Sequence, residues 1–118
     1  MVRIVIGGQI DKEKVADITR KIAGDRAVVT VKSDLEAAMD VKTGAADYYL
    51  GACNTGGGGA LAMAIAMLTM SLCATVSMPG NIRSNEDIEK EIEAGKKAFG
   101  FTPQHAEQVI PVILNKIL

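Results

Sequence analysis

Short runs of apolar residues alternate along this chain with stretches whose apolar positions recur every three or four residues. The first run, Arg3-Ile4-Val5-Ile6, reads as a strand and stops at Gly7-Gly8-Gln9. Asp11 fits an N-cap, Val15, Ile18 and Ile22 follow at helical spacing, and Gly24 closes the helix. Ala27-Val28-Val29-Thr30-Val31 is β-branched and reads as strand two. Ser33-Asp34-Leu35-Glu36 has the spacing of a capping box, with the Ser on the Glu amide and the Glu reaching back. The helix it opens would carry Leu35, Ala38 and Met39 inward and stop at Gly44.

Tyr48-Tyr49-Leu50 is strand three, and it delivers the chain to a run of glycines. The pattern predicts a third helix from about Gly58 to Ser71 and a fourth strand over Ala74-Thr75-Val76-Ser77-Met78, ended by Pro79-Gly80. Ser84-Asn85-Glu86-Asp87 opens a fourth helix with Ile88 and Ile92 on its apolar face and Gly100 past its end. Thr102-Pro103 is an N-cap with Pro at N1. Ala106, Val109, Ile110, Ile113, Leu114 and Ile117 make a last amphipathic helix, broken or kinked at Pro111.

Strand and helix alternate four times, with connections too long for hairpins. That pattern predicts a parallel sheet with right-handed crossovers. The compact order is 2-1-3-4, which gives a four-stranded α/β domain over residues 1–118. It is a flavodoxin/Rossmann-like three-layer sandwich with an extra C-terminal helix. In that order strands one and three lie side by side where the strand order reverses, and open parallel sheets bind ligands there, outside the carboxyl ends. Gly7-Gly8-Gln9 and the glycine run after strand three would flank one crevice.

Composition narrows the function. The chain has 118 residues, 48% of them hydrophobic and 23% charged, enough for one domain with a buried core. A net charge of −1 gives no electrostatic case for nucleic acid, and with no Trp, two Tyr and two Phe a base-stacking platform is also unfavoured. The N-terminus lacks the basic region, apolar core and cleavage site of a signal peptide. Ala60 to Met78 is long enough to raise a membrane span, but Thr69, Ser71, Thr75 and Ser77 interrupt it. It reads as a buried helix plus a strand, so a cytoplasmic protein without membrane insertion is expected.

The candidate site is Gly51-Ala52-Cys53-Asn54-Thr55-Gly56-Gly57-Gly58-Gly59, a strand running through glycines into a helix. No charged residue occurs between Asp47 and Arg83. Bare backbone N–H groups at such a junction suit an anion. Gly51-x-x-x-x-Gly56 opens like a P-loop, but Gly57-Gly58 stand where Lys and Ser/Thr should be, which disfavours nucleoside triphosphate hydrolysis. Gly57-x-Gly59-x-x-Ala62 fits the Ala form of the dinucleotide fingerprint. It follows the third strand, however, and strand four ends in Met78-Pro79 with no acid for a ribose. What survives is a cradle for phosphate, sulfate or carboxylate, with Asn54 and Thr55 as side-chain donors. The ligand-binding set is then Gly8, Gln9, Asn54, Thr55, Gly56, Gly57, Gly58, Gly59, Pro79 and Gly80, with no cofactor. Glycines that merely permit a turn are the bland alternative, though four in a row cost conformational entropy that a turn does not require.

Cys53 ends strand three and Cys73 begins strand four. In neighbouring parallel strands those ends lie ~16 Å apart, beyond the ~7 Å a disulfide can span, so both should be free thiols. Cys53 beside a helix N-terminus is a weak candidate nucleophile; with no His near it in sequence, a small buried apolar role is preferred. His105, the single His, reads as a solvated residue in the first turn of the last helix. One His and two distant Cys assemble no metal site by ligand spacing. Helix three carries two stripes, Leu61, Ile65, Leu68, Leu72 and Met63, Met67, Met70. The second wants a partner, either a neighbouring helix or the symmetry mate of a homodimer.

The loop Gly51-Ala52-Cys53-Asn54-Thr55-Gly56 resembles the YhfU-like family of small uncharacterised bacterial proteins. The likeness extends through most of the chain and takes in Asp34 to Met39, Asp47-Tyr48-Tyr49, Met78-Pro79-Gly80 (where Met78 departs from the pattern) and Gly95 to Gly100. The resemblance implies companions of transport and small-molecule metabolism, hence a small polar metabolite, and carries over no catalytic residue. The architecture also looks like the small IIB components of sugar phosphotransferase systems. Those hold a phosphorylated Cys after the first strand, where this chain has Gly7-Gly8-Gln9-Ile10. The leading expectation is a metabolite-binding protein recognising an anionic group before helix three. The alternatives are a small-molecule enzyme using Cys53 or Asn54, and a structural or regulatory oligomeric subunit.

Overall fold

Three of the short apolar runs form strands where expected: β1 (Val2–Gly8), β2 (Ala27–Val31) and β3 (Tyr48–Ala52). The computed structural model describes residues 1–54 and 61–118. Helix α1 (Lys12–Ala23) follows β1, and α2 (Asp34–Thr43) follows β2. After β3 come α3 (Ala62–Leu68), β4 (Cys73–Thr75), β5 (Ser77–Met78), β6 (Asn81–Ile82) and α4 (Asn85–Glu93). The chain closes with β7 (Ala98–Phe101) and α5 (Ala106–Ile117).

The main sheet has five parallel strands in the order β2-β1-β3-β7-β4. This corrects the four-stranded order 2-1-3-4. The expected adjacency of strands one and three stands, but β7 enters between β3 and β4. The apolar pattern predicts a helix four that ends just before Gly100. Instead α4 ends at Glu93, Gly95 takes φ 96, and Ala98-Phe99-Gly100-Phe101 is a strand with all four residues buried. Four apolar residues are too few for periodicity to separate strand from helix end. The last helix is therefore no appendage: it follows the fifth strand as the other helices follow theirs.

The expected fourth strand, Ala74 to Met78, is divided. Its first part pairs with β7, while Ser77 and Met78 pair antiparallel with Ile82 and Asn81 in a two-stranded hairpin. Pro79 and Gly80, the latter at φ 72, make its turn, the Pro-Gly chemistry of a type II bend. Helix three is shorter than expected. It ends at Leu68, where Thr69 adopts φ 78, and Met70–Leu72 is a 3-10 turn; its expected start at Gly58 lies outside the described residues.

Several caps behave as read. The Ser33 hydroxyl accepts from the Glu36 N–H at 3.2 Å and donates to the Glu36 carboxylate at 2.9 Å. Ser84 likewise accepts from the Asp87 N–H, and Gly24 and Gly44 close α1 and α2 at positive φ. Asp11 does not cap: it takes the left-handed conformation (φ 54) and its side chain makes no cap hydrogen bond. Pro111 lies within α5, which continues through it to Ile117.

Each sheet face has its own core. On one side α1, α4 and α5 cover Ile4, Ile6, Leu50, Phe99 and Phe101. On the other, α2 and α3 cover Val5, Tyr49, Cys73 and Ala98. The central strands are buried on both faces, which explains why they read as continuous apolar runs. In α2 it is Ala37, Ala38 and Val41 that face the sheet. Leu35 and Met39, expected inward with Ala38, are exposed at 50% and 38%.

Candidate ligand site at the carboxyl edge of the sheet

Gly7 on β1 stands opposite Gly51 on β3. Together they leave a bare patch of sheet on the α2 and α3 face, and the Tyr49 ring lies across it. A Cβ on Gly51 would stand 2.8 Å from Tyr49 Cε1, and one on Gly7 would stand 2.5 Å from Tyr49 Cε2. Neither position tolerates a side chain while the ring is there. The ring carries its hydroxyl to the strand ends, where it accepts from the Gly8 N–H at 2.9 Å and donates to Asp34 Oδ1 in a short hydrogen bond. Burial and the Asp34 carboxylate push the Tyr49 hydroxyl far up from its ordinary value, so it stays a neutral donor.

The turn after β1 is bound to the end of β3. Gln9 and Ile10 both donate their N–H groups to the Ala52 carbonyl, at 2.9 and 3.3 Å. Gly8 takes φ 81 there, and a Cβ would stand 2.6 Å from the Ala52 nitrogen. The amides of Gly8, Gln9 and Ile10 are therefore committed within the protein. What this turn offers a ligand is the exposed Gln9 side chain and the first turn of α1, which has no side-chain cap. Two ammonium groups brace that turn: Lys12 Nζ donates to the Lys32 carbonyl at 3.0 Å and Lys14 Nζ to the Pro103 carbonyl at 3.2 Å.

Cys53 follows β3 and donates its N–H to the Phe101 carbonyl at 3.2 Å, which sets it beside Thr102. Asn54 is exposed at the same edge. The expected site residues Thr55, Gly56, Gly57, Gly58 and Gly59 lie outside the described residues. Pro79 and Gly80 do not join this crevice: they form the hairpin tip after β4, and β7 separates β4 from β3. Cys53 and Cys73 are both buried and are not joined in a disulfide, and burial pushes the Cys73 thiol up. Because β7 intervenes, their strands are not the neighbours that the sequence argument assumed.

One residue after β7 sits differently from its expectation. His105 is a half-buried residue in a 3-10 turn (Pro103–His105) that precedes α5, where a solvated residue in the helix's first turn was expected. Its Nδ1 lies 2.8 Å from Thr102 Oγ1, and the Thr102 N–H donates to Ser77 Oγ at 3.0 Å. Strand β7 was the missing signal, since without it His105 has no place beside β3.

Among the described residues no three His, Cys, Asp or Glu side chains gather to hold a metal, and no helix is long and apolar enough to cross a membrane. A surface depression of about 540 Å³ opens at the opposite, amino edge and is lined in part by Arg26, Asp47, Tyr48 and Lys97.

The fold is that of a three-layer α/β protein with a parallel main sheet whose strand order reverses between β1 and β3. Residues 2–117 match the family described as "Protein of unknown function DUF2620", and the chain belongs to that family. It is 39% identical over 117 residues to "Uncharacterized protein YhfU" of Escherichia coli (strain K12), covering 99% of each chain. The same identity and coverage hold for the proteins of that name in Escherichia coli O6:H1 and Shigella flexneri. No solved structure matches the chain.

Proposed function

We propose that this protein binds a small metabolite carrying a phosphate or carboxylate group at the carboxyl edge between β1 and β3. The observation that carries the reading is the pairing of β1 with β3 while their following helices cover opposite faces. Helices that part in this way leave a crevice between the two loops, the place where open α/β sheets take ligands. The uncapped first turn of α1 and its two lysines favour an anion there. The glycine run from Gly56 to Gly59 supplies further amides in sequence.

The test is thermal unfolding in phosphate or sulfate. A ligand bound only by the native state stabilises it by RT ln(1 + [L]/Kd), about 2.7 kcal/mol at a hundredfold excess over Kd. The expected result is a concentration-dependent rise that Gly57→Val or Gly58→Val abolishes. An equal rise in those variants would remove the loop from the site. No rise in the unmodified protein would remove the anion.

A two-fold dimer through α3 belongs to the same proposal. Met63 and Met70 are exposed on α3 and the turn after it, and Leu35 and Met39 are exposed on α2, which packs beside α3. Apolar side chains grouped in this way favour burial against a second copy.

A further inference from the structure

We propose that the depression at the amino edge of the sheet is a binding site in its own right, and that its ligand is a small organic acid with a carboxylate on a flat apolar body. This site lies at the opposite edge from the one proposed above and does not depend on that reading.

A parallel sheet begins all its strands at one edge, so residues far apart in the chain meet there. Val2 opens β1, Arg26 precedes β2, Tyr48 opens β3 behind Asp47, and Lys97 precedes β7. Helix α5 returns to the same edge and brings Ile117. The space they border is about 540 Å³, a volume that suits a small molecule.

One wall of this space is apolar. Val2, Tyr48 and Ile117 are each half-buried and line it. The Tyr48 ring is backed by Phe99, with centroids 6.4 Å apart and planes at 30°. A ring supported in this way offers a flat surface to an apolar body.

The charged side is not balanced. Asp47 is already matched, since Arg3 holds it through the backbone N–H at 2.8 Å, Nη2 at 3.1 Å and Nε at 3.3 Å. Arg26 donates from Nε to the Ala23 carbonyl at 3.2 Å and from Nη2 to the Ile22 carbonyl at 2.9 Å. Those bonds fix the guanidinium at the end of α1 but do not cancel its charge, and Nη1 is left for a ligand. The backbone of Lys97 is fixed on both sides, to the Leu72 carbonyl and to the Tyr49 N–H, each at 2.8 Å. Its ammonium acts on Asp47 through space and makes no ion pair among the described residues. The chain ends at Met1 and Leu118 also border the space, and their charges are of opposite sign. Two cations therefore remain beside an apolar wall. An inorganic anion would leave the wall unused, and a neutral apolar molecule would leave the cations unused. An acid group on an apolar body meets both.

Naphthoate is the probe, followed by its fluorescence, with neutral naphthamide and with acetate for comparison. The expected result is saturable binding of naphthoate at one site per chain, about tenfold tighter than either comparison compound. Arg26→Gln and Lys97→Gln should each weaken it about fivefold, the most an exposed charged contact supplies. The Met63→Lys, Met67→Lys variant should bind naphthoate as the unmodified chain does, because α3 does not line this space. Unchanged affinity in both Gln variants, or naphthamide binding as tightly as naphthoate, would overturn the inference. Binding lost only in the methionine variant would place the probe on α3 and overturn it too. So would the absence of saturable binding at about 1 mM naphthoate. Lys97 is exposed and its substitution leaves the fold intact, so its result stands even where Arg26→Gln loosens the end of α1.

Discussion

The Tyr49 hydroxyl donates to the carboxylate of Asp34, the first residue of α2, and in the same place accepts the Gly8 N–H. One side chain thus ties together the ends of β1 and β3 and the start of α2. These are the elements that border the proposed crevice, so the tie sets the turn from Gly8 to Asp11.

Tyr49→Phe keeps the ring over Gly7 and Gly51 and removes only the hydroxyl. The Gly8 N–H would retain Asp34 Oδ1 at 3.4 Å as a longer acceptor. A buried hydrogen bond of this kind contributes about 1–2 kcal/mol. Urea unfolding should show that loss with an unchanged m-value, and weaker sulfate stabilisation should accompany it.

Gly51→Ala should be destabilising because its Cβ would meet Tyr49 Cε1 at 2.8 Å and the Tyr49 hydroxyl at 2.9 Å. Overpacking of this sort costs about 1–3 kcal/mol. In a Tyr49→Ala background the same change should cost much less, since the ring it strikes has gone. A double-mutant cycle measures the difference. Additive effects would mean that the glycine serves the backbone and not the ring.

Arg3 and Asp47 form an exposed pair at 3.1 Å, and the side-chain hydrogen bond from Arg3 holds the Asp47 carboxyl below the usual carboxylate range. The folded state therefore binds this proton less readily than the unfolded chain does. The pair's contribution is present above the unfolded carboxylate value and is lost as pH falls through the folded one. Melting temperatures measured downward from about pH 5 should decline less steeply in Asp47→Asn than in the unmodified protein. Added salt should shrink the difference, since the pair is open to solvent.

The Met63→Lys, Met67→Lys double variant tests the proposed dimer. Met63 is exposed on α3, while Met67 is half-buried and packs against the core of the α2 and α3 face, so a monomer accepts the lysine at 63 at small cost and loses some packing through the one at 67. A dimer seam would bury two unpaired charges and dissociate. Sedimentation should show a dimer for the unmodified chain and a monomer for the variant. A monomeric unmodified chain at micromolar concentration would refute the interface.

The chain's local signals were legible because their causes are local. Ser33 and Ser84 cap the helices they precede because a hydroxyl reaches an amide three residues on, whatever the rest of the fold does. Gly24 and Gly44 end helices because positive φ costs glycine little. The β-branched and apolar runs became β1, β2 and β3, and the long connections between them required parallel pairing with β1 beside β3. Asp11 shows the limit of such reading, since an N-cap residue by type was drawn into a left-handed turn as the loop bent to meet Ala52.

What lies beyond β3 in the sheet was decided by the tertiary structure. Ala98 to Phe101 is a strand because it fills the gap between β3 and β4 with four buried residues, and nothing in its own four-residue pattern distinguishes it from a helix end. That insertion set the Pro79-Gly80 hairpin tip beyond β7 and brought Thr102, with His105 hydrogen-bonded to it, beside Cys53 at the end of β3. Gly7 and Gly51 gained their meaning only when register set them face to face beneath Tyr49. Residues 44 positions apart carry no mark of that meeting in their own neighbourhoods. Local chemistry therefore determined where the elements begin and end, while burial of both sheet faces chose the strand order and, with it, the side chains that share the carboxyl edge.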